Sequence, residues 1–435
     1  MTDLVAQHQR IAGKRLLVAG LAAITAFMAY SAVYAYRKPF TVATFEGIRF
    51  WNISYQTLLI ISQVIGYMLS KFVGIKFISE LRSLGRFRTG ILLTASAWLC
   101  LLIFAILPAP WGILPMFVNG FLVGFMWGVI FSYLEGRRTT DLMGAVMAVS
   151  FIFAGGFTRT VGKWLMIEWS APEKWMPFFT GLVFIIPLIF FLWLLEKIPP
   201  PNEEDKRERT VRSPMTGAAR KAFMKKFGAG LIIASITYLF LTVMRDIRDN
   251  YMANIWNELG YGSDYSIFTR TETNTCLLVL LVMGTLVLIR NNMRAFAMVH
   301  VVIAAGFLLA GISSALFINE MISGALWMQL VSLGLYMGYI RFNCIFFERL
   351  IASFRVAGNV GFLIYFADAF GYLGSVMVML AKEFIRLQWN WSEFYSHGVV
   401  IGSLLGLAGT VFSLSYFRKR YRTHQADRYR PSLRR

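Results

Sequence analysis

Cysteine is scarce in this chain. Only Cys100, Cys276 and Cys344 occur among 435 residues, each inside an apolar run. Three such residues cannot form a disulfide framework, and packing is their default role. Histidine is almost as sparse: His8, His300, His397 and His424 are widely separated, with no metal-ligand spacing. No phosphate-binding Gly-Lys-Ser/Thr loop occurs, so nothing supports drive by ATP, and no cofactor is expected. Charge is short as well. Charged residues make up 15% of the chain and hydrophobic ones 57%, whereas a soluble domain is about a quarter charged. A core cannot hide that much apolar surface, so lipid must be the solvent for part of it. Disorder and a collagen-like chain are excluded on the same grounds.

What is abundant is the long apolar run. A membrane-crossing helix needs about 20 largely apolar residues. Twelve stretches qualify, near 15–37, 54–74, 89–109, 112–133, 142–166, 175–196, 228–250, 273–289, 295–317, 321–347, 356–380 and 395–417. They are continuous, whereas β-barrel strands alternate over about ten residues. The expected class is therefore an all-α integral membrane protein with twelve spans. Lys14-Arg15, the apolar run after it and Val33-Tyr34-Ala35 imitate a signal peptide. The run is too long for one, and charges follow it, so it reads as an uncleaved first span.

Acid is the rarer charge: 23 Asp and Glu against 43 Lys and Arg, a net charge of +20. With the N-terminus inside, the inner segments hold 30 of the basic residues and the outer loops five, namely Arg49, Lys174, Arg270, Lys382 and Arg386. That asymmetry is the positive-inside pattern. It places both termini in the cytoplasm and the chain in the cytoplasmic membrane. It also accounts for the basicity without nucleic acid. The basic tail, residues 418–435, is suited to anionic lipid headgroups. The one long polar break, 197–227, opens with Pro199-Pro200-Pro201. It separates a six-span half, 1–196, from a second, 228–417. Six plus six around a central inner loop is the plan of the major facilitator fold.

Eight basic residues remain within or at the rims of the spans: Arg37, Lys38, Lys71, Arg159, Lys163, Arg245, Arg248 and Arg341. Asp246, Asp249 and Asp368 join them. A charge at bilayer depth costs about 2.5–3.5 kcal/mol on the insertion scale, so such residues line a bundle interior or cavity and default to function. Arg37 and Arg245 occupy matching places, late in the first span of each half, and each sits in a charged cluster. Snorkelling to the outer interface is the alternative reading. Asp249 is placed to pair with Arg245 at i,i+4. Asp368 lies near the midplane, where it either pairs with Arg341 or is a protonatable or substrate-contacting carboxylate.

The string Ala29-Tyr30-Ser31-Ala32-Val33-Tyr34-Ala35-Tyr36-Arg37-Lys38-Pro39-Phe40 resembles the first-span signature of the organophosphate:phosphate antiporters. Ser70-Lys71-Phe72-Val73 with Leu81-Arg82-Ser83, the glycines from Asn119-Gly120 to Gly128, Tyr238–Tyr251, Ala357-Gly358 and Phe370-Gly371-Tyr372-Leu373-Gly374 are similar to later segments of that family, in the same order. The resemblance implies a rocker-switch antiporter in which one arginine from span 1 and one from span 7 grip a phosphoryl group between the halves. Arg37 and Arg245 match those positions, and Lys38 matches the family's neighbouring lysine. Tyr34 and Arg248, beside them, are further candidate substrate contacts. Guanidinium groups suit this task because they offer phosphate a planar, bidentate fork.

The expectation is a monomeric secondary transporter of a small organic anion, not an enzyme, with inorganic phosphate or protons as coupling ion. Asp246, Asp249, Arg341 and Asp368 are its candidate coupling or ion-pair residues. The family's polar contact in span 5 is not evident. Phe151-Ile152-Phe153 stands there and Arg159 follows later, so another anionic or a zwitterionic substrate is equally open. A transporter-like sensor and a membrane-embedded transferase are the competing classes.

Overall fold

The computed structural model describes residues 2–80, 85–137, 139–201, 217–287, 289, 291–354, 360–385 and 389–429. Arg82-Ser83, Arg138, the linker residues 202–216, Arg290, Arg355, Ala357-Gly358, Arg386 and tail residues 430–435 lie outside the described residues. The chain forms two compact units. One takes Met1–Thr210 with Ser263–Cys276, the other Val211–Gly262 with Leu277–Arg435.

The first unit holds α1 (Thr2–Val33), α2 (Tyr55–Glu80), α3 (Arg86–Ile106), α4 (Ile113–Gly124), α5 (Met126–Leu134), α6 (Thr140–Glu168) and α7 (Met176–Glu196). Between α1 and α2 the chain makes two 3-10 turns, Tyr34–Tyr36 and Pro39–Val42, then a small antiparallel hairpin. In that hairpin Arg49 pairs with Ser54 and Phe50 with Ile53. The second unit holds α8 (Gly217–Asn250), α9 (Met252–Glu258), the later part of α10 (Ser266–Val287), α11 (Asn292–Ile318), α12 (Gly324–Arg341), a π turn (Phe342–Phe346), α13 (Phe347–Phe354), α14 (Val360–Phe384) and α15 (Trp391–Tyr429).

Nine helices among the described residues are long and apolar enough to cross a membrane. The other three expected spans fall on α10, on α12 with its π turn, and on α14, the helices that carry Glu272, Arg341 and Asp368. The apolar surface is divided as lipid requires. On α7, Ile186 is 77% exposed while Leu188, Leu192 and Leu195 are buried. On α1, Leu17, Leu21 and Ile24 face outward while Ala19, Ala22, Ala23, Ala26 and Ala29 are buried. That alanine stripe lets α1 approach α6 and α7 closely, as small residues do where packing replaces a hydrophobic drive.

The tightest approach lies between α2 and α4. A Cβ on Gly120 would come within 2.1 Å of the Gln63 carbonyl oxygen, and one on Gly66 within 2.1 Å of the Phe117 carbonyl oxygen. Only glycine fits at either crossing. This contact sets Gln63 of α2 beside Asn119 of α4, under the point where α1 unwinds.

Candidate functional site

In the first unit the site is made by the end of α1. The helix stops at Val33, and Pro39 forbids its continuation because proline lacks the amide hydrogen. Arg37 and Lys38 sit in the break, and both their backbone amides donate to the Tyr34 carbonyl, at 3.0 and 2.9 Å. Breaking a helix among buried residues leaves carbonyls that need partners within the protein. Two side-chain amides take them. Gln63 Nε2 donates to the Arg37 carbonyl at 3.0 Å, and Asn119 Nδ2 to the Tyr36 carbonyl at 2.9 Å. Asn119 also donates to the Ala97 carbonyl at 3.0 Å and accepts from Gln63 Nε2 at 2.9 Å. The backbone that carries Arg37 is thus held from α2, α3 and α4.

The Arg37 side chain is buried, 8% exposed, with its guanidinium carbon 3.7 Å from the centre of the Tyr67 ring and 5.8 Å from that of Tyr34. Lys71, one turn beyond Tyr67 on α2, places its ammonium 4.4 Å from the same ring centre. Lys38 is 5% exposed. Snorkelling would have carried the Arg37 head outward to water; here it sits over an aromatic ring inside the unit. Arg159 of α6 is fully buried, with Nε donating to Thr41 Oγ1 at 2.9 Å and Nη1 to the Gly155 carbonyl at 2.8 Å. It ties α6 to the second 3-10 turn.

In the second unit Arg245 lies on α8 with its guanidinium carbon 3.9 Å from the centre of the Tyr339 ring. Its ion-pair partner is Asp246, where the sequence pointed to Asp249 one turn on. Helix neighbours do not face each other, but the long arginine arm folds back across the Tyr339 ring to reach the carboxylate. Asp246 is further held by the Ser375 hydroxyl of α14 at 2.9 Å. Asp249 is half-buried. Arg248 is 1% exposed and directs Nη2 at the Met328 carbonyl of α12, 3.4 Å away, so it lies inside the helix packing. Asp368 accepts a hydrogen bond from the Tyr238 hydroxyl. Arg341 is fully buried, with Nη1 donating to the Met337 carbonyl of its own helix, immediately before the π turn. Tyr238 and Tyr339 stack, with centroids 5.5 Å apart and planes at 19°. The structure therefore joins Asp246, Arg245, Tyr339, Tyr238 and Asp368 in one sequence of contacts.

Among the described residues no group of three or more His, Cys, Asp or Glu side chains is placed to hold a metal ion.

A family model described as a family of unknown function (DUF5690) matches residues 39–420. The chain belongs to that family. The match starts just after Tyr34, Arg37 and Lys38 and takes in the candidate residues from Lys71 to Asp368. No curated protein matches the chain in sequence. Solved structures do match in fold. A bacterial homolog to the human lysosomal transporter Spinster aligns with a TM-score of 0.59 and 12% identity over 95% of this chain and 99% of that one. The xylose transporter XylE from E. coli gives 0.57 and 15%, over 91% and 94%. The nucleoside transporter NupG gives 0.59 and 13%, over 93% and 99%. At such identities the likeness establishes the fold. This member of the family is a multi-pass membrane protein with the twelve-span, two-half major facilitator fold.

The sequence marks Arg37, Lys38, Lys71, Arg245, Asp246 and Asp368 as charges within or at the rims of the spans. It does not mark Gln63, Tyr67, Tyr238, Tyr339 and Ser375 as their partners, and it gives Asn119 only as part of a glycine-rich string. One signal was available for Gln63 and Asn119. An amide in the middle of an apolar span needs a partner as much as a charge does.

Proposed function

We propose that the protein is a secondary active transporter of a small organic anion, working as a monomer by alternating access in the cytoplasmic membrane. Phosphorylated metabolites are the first class to test. The observation that carries the reading is the pair of cations on one ring, Arg37 and Lys71 on Tyr67, with Lys38, next to Arg37 in the chain, also buried. Both charges lie within 4.4 Å of one ring centre, so they are less than about 9 Å apart. At an effective dielectric constant near 20, two like charges about 8 Å apart repel by about 2 kcal/mol. An anion seated beside the ring replaces that repulsion with two attractions. Arg37 supplies the planar fork that phosphate oxygens accept, Lys38 and Lys71 supply point charges, and Tyr34 lines the approach. Within the second half Arg245 is a separate candidate cation. Asp246 already answers the charge of Arg245.

The test is a thermal-shift screen of purified protein against phosphorylated and carboxylated metabolites and inorganic phosphate, followed by uptake of the best binder into sealed proteoliposomes. Stabilisation followed by net flux is expected. Binding with no flux would identify a receptor instead, and no stabilisation by any anion would remove the reading.

The orientation has its own test. In a background lacking the native cysteines, Asn390→Cys is expected to react with an impermeant thiol reagent on intact cells, and Asn202→Cys only after the membrane is opened. Reaction of Asn202→Cys from outside would invert the topology that the 30-to-5 asymmetry of basic residues indicates.

A further inference from the structure

We propose that Asp368 and Tyr238 form a proton-binding site in the second half, and that its occupancy is linked through Tyr339 to the pairing of Arg245. The proposal rests on the transporter reading for its purpose and names the coupling ion that reading left open.

The geometry starts at Asp368, which is half-buried in α14, where an acid within lipid thickness is costly unless it has work or partners. The Tyr238 hydroxyl of α8 donates to its Oδ1. The Tyr238 ring stacks on Tyr339 of α12, and Tyr339 carries the Arg245 guanidinium on its face. Arg245 closes on Asp246, which Ser375 holds from α14, two turns beyond Asp368. A carboxylate thus stands at each end of a contact chain whose middle is one arginine and two stacked phenols. The ionisable groups around the Tyr238–Asp368 pair are Tyr339 of α12, Arg245 of α8 and Tyr372 of α14, with Asp246 acting on Tyr339 from beyond Arg245. Arg341, at the end of α12, and Glu348 and Arg349, in α13, are charged residues on neighbouring elements.

A proton fits this place better than a metal cation. A divalent ion takes about six oxygen ligands or more at once, and among the described residues no group of three or more His, Cys, Asp or Glu side chains is placed to hold one. A proton needs one oxygen. It arrives from water and forms an O–H bond on Asp368. The neutral acid no longer requires the Tyr238 hydroxyl as a donor, and that hydroxyl can then accept. The Tyr238 and Tyr339 side chains also hydrogen-bond to each other, so a Tyr238 hydroxyl that turns from donor to acceptor at Asp368 frees its proton for Tyr339, whose ring carries the Arg245 guanidinium. If proton occupancy alters anion affinity at Arg245, bound anion must alter proton affinity by the same factor.

The test needs no substrate. Purified protein in a lipid film is cycled between mildly alkaline and mildly acidic buffer while infrared difference spectra are recorded. The wild type is expected to gain a carbonyl band of a protonated carboxyl on acidification. Asp368→Asn is expected to lack that band. Tyr238→Phe is expected to keep the band at a displaced frequency, because the hydroxyl that hydrogen-bonds it is gone. Absence of any titrating band that distinguishes the wild type from Asp368→Asn would overturn the site. Should Asp368→Asn fail to fold, Tyr238→Phe decides: an undisplaced band overturns the assignment to this pair. Replacing choline by sodium at fixed acidic pH is expected to leave the band unchanged, and its loss would assign the site to a metal cation instead. Inorganic phosphate, added last, and then any anion found by the thermal screen, tests the link. A shifted titration midpoint supports it, and an unmoved midpoint with a demonstrably bound anion overturns the coupling to Arg245. A failed infrared result leaves anion transport standing, and a failed anion screen leaves the proton site standing.

Discussion

Arg37→Lys is expected to weaken anion binding by about one to two decades. Lysine keeps the positive charge but loses two things that the structure shows Arg37 using or offering. One is the contact of the guanidinium with the Tyr67 ring, whose centre is 3.7 Å away. The other is the bidentate fork toward phosphate oxygens. Hydrogen bonds to charged groups contribute about 1.5–3 kcal/mol, which is that range of affinity. Arg245→Lys is expected to do less, under about tenfold, because the guanidinium is already committed to Asp246 and Tyr339. Isothermal titration of both variants with the anion that binds the wild type, at matched thermal stability, separates them. Wild-type affinity in Arg37→Lys would remove Arg37 from the site, and a larger loss at Arg245 would reverse the ranking.

The second large effect is expected at Asn119, a fully buried residue that never touches the anion. Asn119→Leu keeps the branched shape, though with added bulk, and removes two donors and one acceptor. The Tyr36 and Ala97 carbonyls lose their partner, and Gln63 loses its acceptor. Each orphaned group costs about 1–3 kcal/mol, and no water reaches this depth to replace the amide. A loss on the order of 3 kcal/mol or more follows, read as a fall of several degrees in the unfolding temperature in detergent. Asn119→Asp sets carboxyl oxygens against the Tyr36 and Ala97 carbonyls and is expected to be at least as destabilising as Asn119→Leu at neutral pH. An unchanged unfolding temperature in Asn119→Leu would show that the clamp does not hold the break in α1.

The spans were legible because lipid imposes a length on apolar runs that a soluble core does not. Inside a span the same chemistry hides the rest. In α7 almost every residue is apolar, so the buried row of Leu188, Leu192 and Leu195 is invisible without its neighbours. Arg37, Arg245, Arg341 and Asp368 stood out because charge is anomalous in such runs. Their partners did not, for reasons of distance along the chain. Asn119 lies 83 residues from the carbonyl of Tyr36 that it binds, and Tyr238 lies 130 from Asp368. Spacing rules favoured Asp249 for Arg245 because they treat the helix as a cylinder of side chains. They leave out the Tyr339 face, which folds the arginine arm toward Asp246 instead. The assignment of Ser263–Cys276 to the first unit was likewise hidden. It depends on contacts such as the Thr269 hydroxyl meeting that of Thr160 at 2.7 Å, which no local pattern announces.

Helix α15 has a practical consequence for imaging. It runs unbroken for 39 residues, about 58 Å at 1.5 Å per residue, while the hydrocarbon layer is about 30 Å thick. Its later turns carry exposed Arg418, Lys419, Arg420 and Arg422, and Tyr421 packs against Phe354 at 5.9 Å, so the extension is braced where it leaves the bundle. A rigid helical fusion spliced in phase after Thr423 would inherit the direction of the span itself. It would give a particle of under 50 kDa an asymmetric landmark outside the micelle, with no antibody needed to align it.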